Sequence, residues 1–137
     1  MILSIIIPVY NEAKKISNDI IALSDYLTKY QINSEIIIFD DGSTDDTVDI
    51  ASNTTIDESI QLSVISDNNH FGKGNAVRNG ILQSKGNVVL FMDSGSTVKL
   101  DAVSKGLTLL QDGDCQMVLG SRHLPESMIT KPLAFHR

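Results

Sequence analysis

The chain has one cysteine, Cys115, so no internal disulfide can form. That fits a reducing compartment. It has no Cys cluster and no His-Glu-x-x-His pair, so it offers no zinc ligand set. Apart from the pair Lys14-Lys15 no two Lys or Arg residues are adjacent, and the net charge is −6. Without a basic footprint, no nucleic-acid partner is expected. No apolar run approaches the ~20 residues of a membrane span. The N-terminus enters a strand-like run directly, without the basic and long apolar regions of a signal peptide. A cytoplasmic location is therefore expected, and the acceptor match at Asn53-Thr54-Thr55 is read as coincidence.

Several nucleotide and catalytic signatures are also missing. A P-loop needs four residues between its glycines and a Lys-Ser or Lys-Thr after them, and Gly72-Lys73-Gly74 has neither. Val77 stands where a dinucleotide fingerprint needs its third glycine, which argues against a dinucleotide enzyme. Gly72 and Gly74 could still cradle a phosphate, or simply serve the loop and a close helix approach. Asp41, Ser43 and Asp45 alternate like a calcium loop, but Asp46 occupies its glycine position and no bidentate Glu follows. Ser94, Ser96 and Ser121 lack a nucleophile-elbow context. His70, His123 and His136 are scattered and read as solvent-exposed.

What is present is one domain's worth of chain. Its 137 residues, 42% apolar and 20% charged, describe a soluble globular protein. Its centre is Ile36-Ile37-Ile38-Phe39-Asp40-Asp41-Gly42-Ser43-Thr44-Asp45-Asp46. An isoleucine-rich run too short for a helix, ending abruptly in polar residues, predicts a buried strand over 35–39. Ser43 or Thr44 can cap a helix over 44–53, with Asp45 and Asp46 in its positive first turn. Asp40 and Asp41 then serve that turn, or form part of a ligand site at the carboxyl edge of a sheet.

The same alternation runs through the chain. Strands are predicted over 2–9, 61–66, 87–92 and 116–119, and helices over 13–30, 74–84 and 101–110. Pro8 cannot donate a ladder bond and should sit at a strand end. Asn11 can cap the first helix, whose face is Ile16, Ile20, Leu23 and Leu27. Strand-helix alternation implies βαβ units, hence an α/β fold: a Rossmann-like three-layer α/β/α domain with a mainly parallel sheet. The first strand should be central, between the second and fourth, with the third outside the second. Tyr10 to Glu12, Asp40-Asp41 and Asp93 then share one sheet edge, and three polar strand ends together suggest a site.

Together, Ile5-Ile6-Ile7-Pro8-Val9-Tyr10-Asn11-Glu12, Asp40-Asp41-Gly42-Ser43-Thr44-Asp45, Gly72-Lys73-Gly74-Asn75-Ala76-Val77-Arg78, Asp93 and Gly120-Ser121-Arg122 resemble the large inverting glycosyltransferase family. That family includes cellulose synthase, chitin synthase and dolichyl-phosphate sugar synthases. The glycine-lysine stretch and Gly-Ser-Arg are most similar to enzymes that pass glucose or mannose to a polyprenyl phosphate.

The resemblance implies an A-type glycosyltransferase nucleotide-sugar-binding domain over 1–137, with a UDP- or GDP-sugar donor. It places Pro8, Tyr10, Asn11 and Glu12 around the nucleoside, Asp41 on the base, and Gly74 in the donor site. Asp93 would lie by the ribose and the metal, and Arg122 by the diphosphate. It also implies Mg2+ or Mn2+, a polyprenyl-phosphate acceptor at a membrane surface, and the option of a homo-oligomer.

Two departures follow. Gly95 stands where the family usually has a second metal-binding Asp, so metal should bind weakly and only with nucleotide. The family's chains also run well past this length, so the C-terminal acceptor-binding part is expected to be missing. The alternative function is a nucleotide-sugar-binding module impaired in catalysis.

Overall fold

The computed structural model describes residues 2–95, 99–113, 115–121 and 125. They belong to two compact units, Met1–Val98 and Lys99–Arg137. The first unit holds four strands, β1 (Leu3–Val9), β2 (Ser34–Asp40), β3 (Gln61–Ser66) and β4 (Val88–Phe91). Between them lie helices α1 (Ile16–Lys29), α2 (Thr47–Ser52) and α3 (Lys73–Gln83). The sheet order is β3-β2-β1-β4, and every neighbouring pair is parallel, as expected from the sequence.

Burial explains why β1 and β2 are central. Ile5, Ile6 and Ile7 pair with Ile36, Ile37 and Ile38, and all six are buried. Successive strand residues point to opposite faces, so a run buried at every position needs cover on both. On one face α3 packs against β1 and β2; α2 packs against β2 and β3, and α1 lies on α2. The expected α1 face is buried at Ile16, Ile20, Leu23 and Leu27.

Pro8 lies one residue from the end of β1. The carbonyls of Ile2 and Ile6 accept from β4's side, and that of Val9 accepts from Asp41. By alternation Pro8 faces β4's side, where the paired register stops at Ile6 and Phe91. Its missing N–H therefore costs the sheet nothing.

Glycine meets its tightest helix-sheet demand at Gly80. A Cβ there would lie 2.5 Å from Ile6 Cγ2. Gly72 and Gly74 have open space instead, so neither supplies the close helix approach weighed from the sequence.

A polar knot closes the opposite end of the sheet from the candidate site. Buried Glu35 accepts from Ser4 Oγ at 2.5 Å and from the Lys85 N–H at 2.7 Å, while Ser4 Oγ accepts from the Gly86 N–H at 2.8 Å. Glu35→Ala leaves these donors without their acceptor, so it is expected to lower stability by about 2–3 kcal/mol in a denaturant titration. Both donors share Glu35 Oε1, so Glu35→Gln, which can keep an oxygen in that position, should lose less.

In the second unit α4 (Asp101–Gln111) forms as expected. The strand expected over 116–119 does not: residues 115–121 carry no ladder, and Met117 and Leu119 are 72% and 77% exposed. Apolar alternation becomes a strand only where a partner edge takes the backbone groups.

Candidate functional site

The carboxyl ends of β1, β2 and β4 converge, and the β3–α3 loop joins them. Asn11 begins the convergence. Its backbone is left-handed (φ 54°), a conformation Asn tolerates better than most residues. It does not cap α1, as the sequence had suggested. Its N–H donates to Ser43 Oγ at 2.8 Å, and its Oδ1 accepts from the Thr44 N–H at 2.8 Å. The helix starts only at Ile16, with the Glu12 carbonyl accepting from the Lys15 and Ile16 N–H groups.

Ser43 and Thr44 do not cap α2 either, because they are spent on Asn11. Asp45 takes that role from two residues before Thr47, accepting from the Thr47 N–H at 3.0 Å and from its hydroxyl. The Thr47 hydroxyl, with backbone N–H groups of Thr47 and Ala13, holds the Asp45 carboxyl below its usual range. Thr47 Oγ1 also accepts from the Glu12 N–H at 2.8 Å, so the two loops are stitched together.

Asp40 and Asp41 are both buried, with different tasks. Asp40 braces the edge, accepting from Ser66 Oγ at 2.7 Å and the Ser43 N–H at 3.1 Å. Asp41, 2% exposed, holds the β3–α3 loop. Its Oδ1 accepts from the Phe71 N–H at 2.9 Å and its Oδ2 from the Gly72 N–H at 2.7 Å. His70 Nδ1 stands 2.8 Å from the same Oδ2, and its ring stacks on Tyr10 with centroids 4.0 Å apart and planes 27° from parallel. Gly42 (φ 76°) lets this loop pass close, since a Cβ there would lie 2.7 Å from the Asn69 carbonyl carbon.

At β4's end Asp93 pairs with Lys73, the first residue of α3. Ser94 Oγ donates to Glu12 Oε1 at 3.1 Å, and Lys15 Nζ lies 2.8 Å from Glu12 Oε2. The Gly95 N–H donates to Asp19 Oδ2 at 2.6 Å.

Of the residues singled out from the sequence, Tyr10, Asn11, Glu12, Asp41 and Asp93 line this edge. Pro8 lies one residue before the end of β1, and Gly74 sits in the first turn of α3 with open space around it. Arg122 lies outside the described residues. Sequence reasoning missed His70, Lys15 and Lys73. No local signal could have found the first, because its partners Tyr10 and Asp41 are far away in sequence and meet it only through the sheet order. Among the described residues, no group of three or more His, Cys, Asp or Glu could hold a metal ion.

A family model described as glycosyl transferase family 2 matches residues 4–132. The dolichyl-phosphate beta-glucosyltransferase of Mus musculus is 34% identical over 94% of this chain. The chain spans 44% of that relative's length. Two solved structures share the fold. A mannosyltransferase of Pyrobaculum calidifontis in complex with GDP-Man and Mn2+ matches 66% of this chain and 26% of its own, at 25% identity and TM-score 0.55. Glucosyl-3-phosphoglycerate synthase of Mycobacterium tuberculosis, in complex with Mn2+, UDP-glucose and phosphoglyceric acid, matches 67% of this chain and 32% of its own. Its identity is 27% and its TM-score 0.52.

Proposed function

This chain belongs to glycosyl transferase family 2, and we propose that it is the donor-binding part of an enzyme that transfers a hexose from a UDP- or GDP-sugar to a polyprenyl phosphate. The observation that carries the donor reading is the set Tyr10, His70 and Asp41. A nucleobase needs a flat wall and a carboxylate that accepts its ring N–H. The His70 ring has both, stacked on Tyr10 and held at 2.8 Å from a buried carboxylate oxygen. His70 stands where a base would stand. Its side chain is half exposed, so it can swing out and give up the wall and the acceptor.

In this reading Pro8 and Tyr10 form the wall, and Asn11 and Glu12 shape the nucleoside pocket. Asp41 accepts from the base and Asp93 lies by the ribose. Gly74 leaves room beside the phosphates. Any magnesium or manganese would arrive with the nucleotide rather than reside in the free protein. The two neighbours with bound Mn2+ also carry nucleotide sugars, which supports that pairing.

Transfer would be a single displacement with inversion. An acceptor phosphate oxygen bonds to the anomeric carbon as the bond to the nucleoside diphosphate breaks. An acceptor already ionised at neutral pH needs no general base. The acceptor-binding part would lie in the length of the relatives that this chain does not span. No helix of the described residues is long and apolar enough to cross a membrane.

A titration against UDP- and GDP-sugars tests the reading. At least one is expected to bind with a Kd between about 1 μM and 1 mM, the usual range for enzyme substrates. No binding across the panel overturns it. Gly95, in place of a second metal-binding carboxylate, favours the second reading, a binding module without turnover. Radiolabelled donor and polyprenyl phosphate separate the two, since transfer by the 137-residue chain excludes the module.

A further inference from the structure

Every carboxylate around the Asp93–Gly95 loop already has a partner in the protein itself. Asp93 carries the Lys73 ammonium. Glu12 holds Lys15 through one oxygen and Ser94 through the other. Asp19 accepts from the Gly95 N–H. Gly95 has φ 97°, which disfavours any other residue, and a Cβ on it would lie 3.1 Å from Lys15 Nζ. A carboxylate placed there would meet an ammonium before it met a metal. The described residues therefore do not fit a resident divalent cation.

We infer that Lys73, seated on Asp93, supplies the fixed positive charge for the donor's diphosphate, so that nucleotide binds without a metal ion. The inference rests on the donor-binding reading above. An ammonium has three N–H donors, and Asp93 takes one. The others can reach phosphate oxygens, because the Lys73 side chain is about half exposed. Lys73 stands in the positive first turn of α3, which carries no acidic residue to compete. Phe91, its ring centroid 5.9 Å from Nζ, bounds the ammonium on another side. Lys15 brings a second ammonium to the same loop. A compact point charge of this kind is a common phosphate partner.

Calorimetric titration of UDP and of GDP, each in EDTA and in MnCl2, tests this on the wild type, Lys73→Gln and Lys73→Arg. The wild type is expected to bind a nucleotide in EDTA within about threefold of its affinity in manganese, a difference well under one tenfold step. Lys73→Gln should lose about tenfold to a hundredfold in EDTA, the scale of a charge-assisted hydrogen bond. Manganese should restore part of that loss, because the substitution frees Asp93. Lys73→Arg should keep binding in EDTA. The position is half exposed, so circular dichroism should show all three chains folded alike.

A wild type that loses binding in EDTA overturns the inference, and so does Lys73→Gln binding like wild type in EDTA. Both leave the donor-binding reading standing. No binding of either nucleotide in any condition removes that reading and the inference with it.

Discussion

Asp41→Ala is expected to lose nucleotide affinity by a factor of about ten to a hundred and to lower stability by about 2–4 kcal/mol, in one substitution. The affinity term follows from one hydrogen bond to a charged group, worth about 1.5–3 kcal/mol. The stability term is the structure's addition. From the sequence alone, Asp41 could serve the turn or a ligand site. The carboxylate is in fact buried and accepts from Phe71, Gly72 and His70 together. Alanine leaves two backbone N–H groups without an acceptor and His70 without its anchor. Water can reach part of that loop, which keeps the loss below the sum of three charge-assisted bonds.

Asp41→Asn separates the two effects. It keeps the shape and one acceptor oxygen, so it should recover part of the stability. Its amide presents donors where two N–H groups need acceptors. Denaturant unfolding and nucleotide titration on the three chains measure both quantities. Unchanged affinity in Asp41→Ala would remove Asp41 from the site while leaving its role in the loop.

The sheet was legible in the sequence because its signal is local and redundant. Ile5 to Ile7 and Ile36 to Ile38 are buried at every position, and only a strand covered on both faces is apolar without alternation. The strand order expected from the sequence also holds. The caps were less legible. Asn11, Ser43 and Thr44 are residues that cap helices, but in the fold they meet each other across two loops, and a partner 32 or 33 positions away leaves no mark on local propensity. The strand expected over 116–119 failed for the same kind of reason, since alternation says nothing about an available edge.

The candidate site was legible as a set of strand ends and illegible as a set of contacts. Asp41 and Asp93 could be named from the motifs that carry them. That His70 stacks on Tyr10, and that Lys73 occupies Asp93, depends on where α3 starts relative to β4. Glycine was misplaced in the same way. The Gly-Lys-Gly stretch drew the reading of close approach, while the residue that needs it is Gly80, which carries no motif at all.

Gly80 and Ile6 give the second large expected effect. Ile6 is fully buried in the central strand, so Ile6→Ala should lose about 2–5 kcal/mol through transfer and cavity terms. Gly80→Ala puts a methyl group 2.5 Å from Ile6 Cγ2 and 3.1 Å from Cγ1. Overpacking of that kind costs about 1–3 kcal/mol. Alanine returns roughly 0.5–1 kcal/mol by its better helix propensity, so the net loss should lie between about 0 and 2.5 kcal/mol. The two losses should not add. In the double substitution the new methyl fills space vacated by the isoleucine branch, and the double should be more stable than the sum predicts by about 1–2 kcal/mol, within the range for residues in contact. Denaturant midpoints of the four chains close the cycle. Additivity within about 0.5 kcal/mol would mean that this contact does not set the spacing of α3 from the sheet. Lys73 opens α3 and Gly80 lies on its second turn, so a helix forced outward by Gly80→Ala also draws the ammonium away from Asp93. Gly80→Ala alone should therefore weaken nucleotide binding in EDTA, and adding Ile6→Ala should restore it.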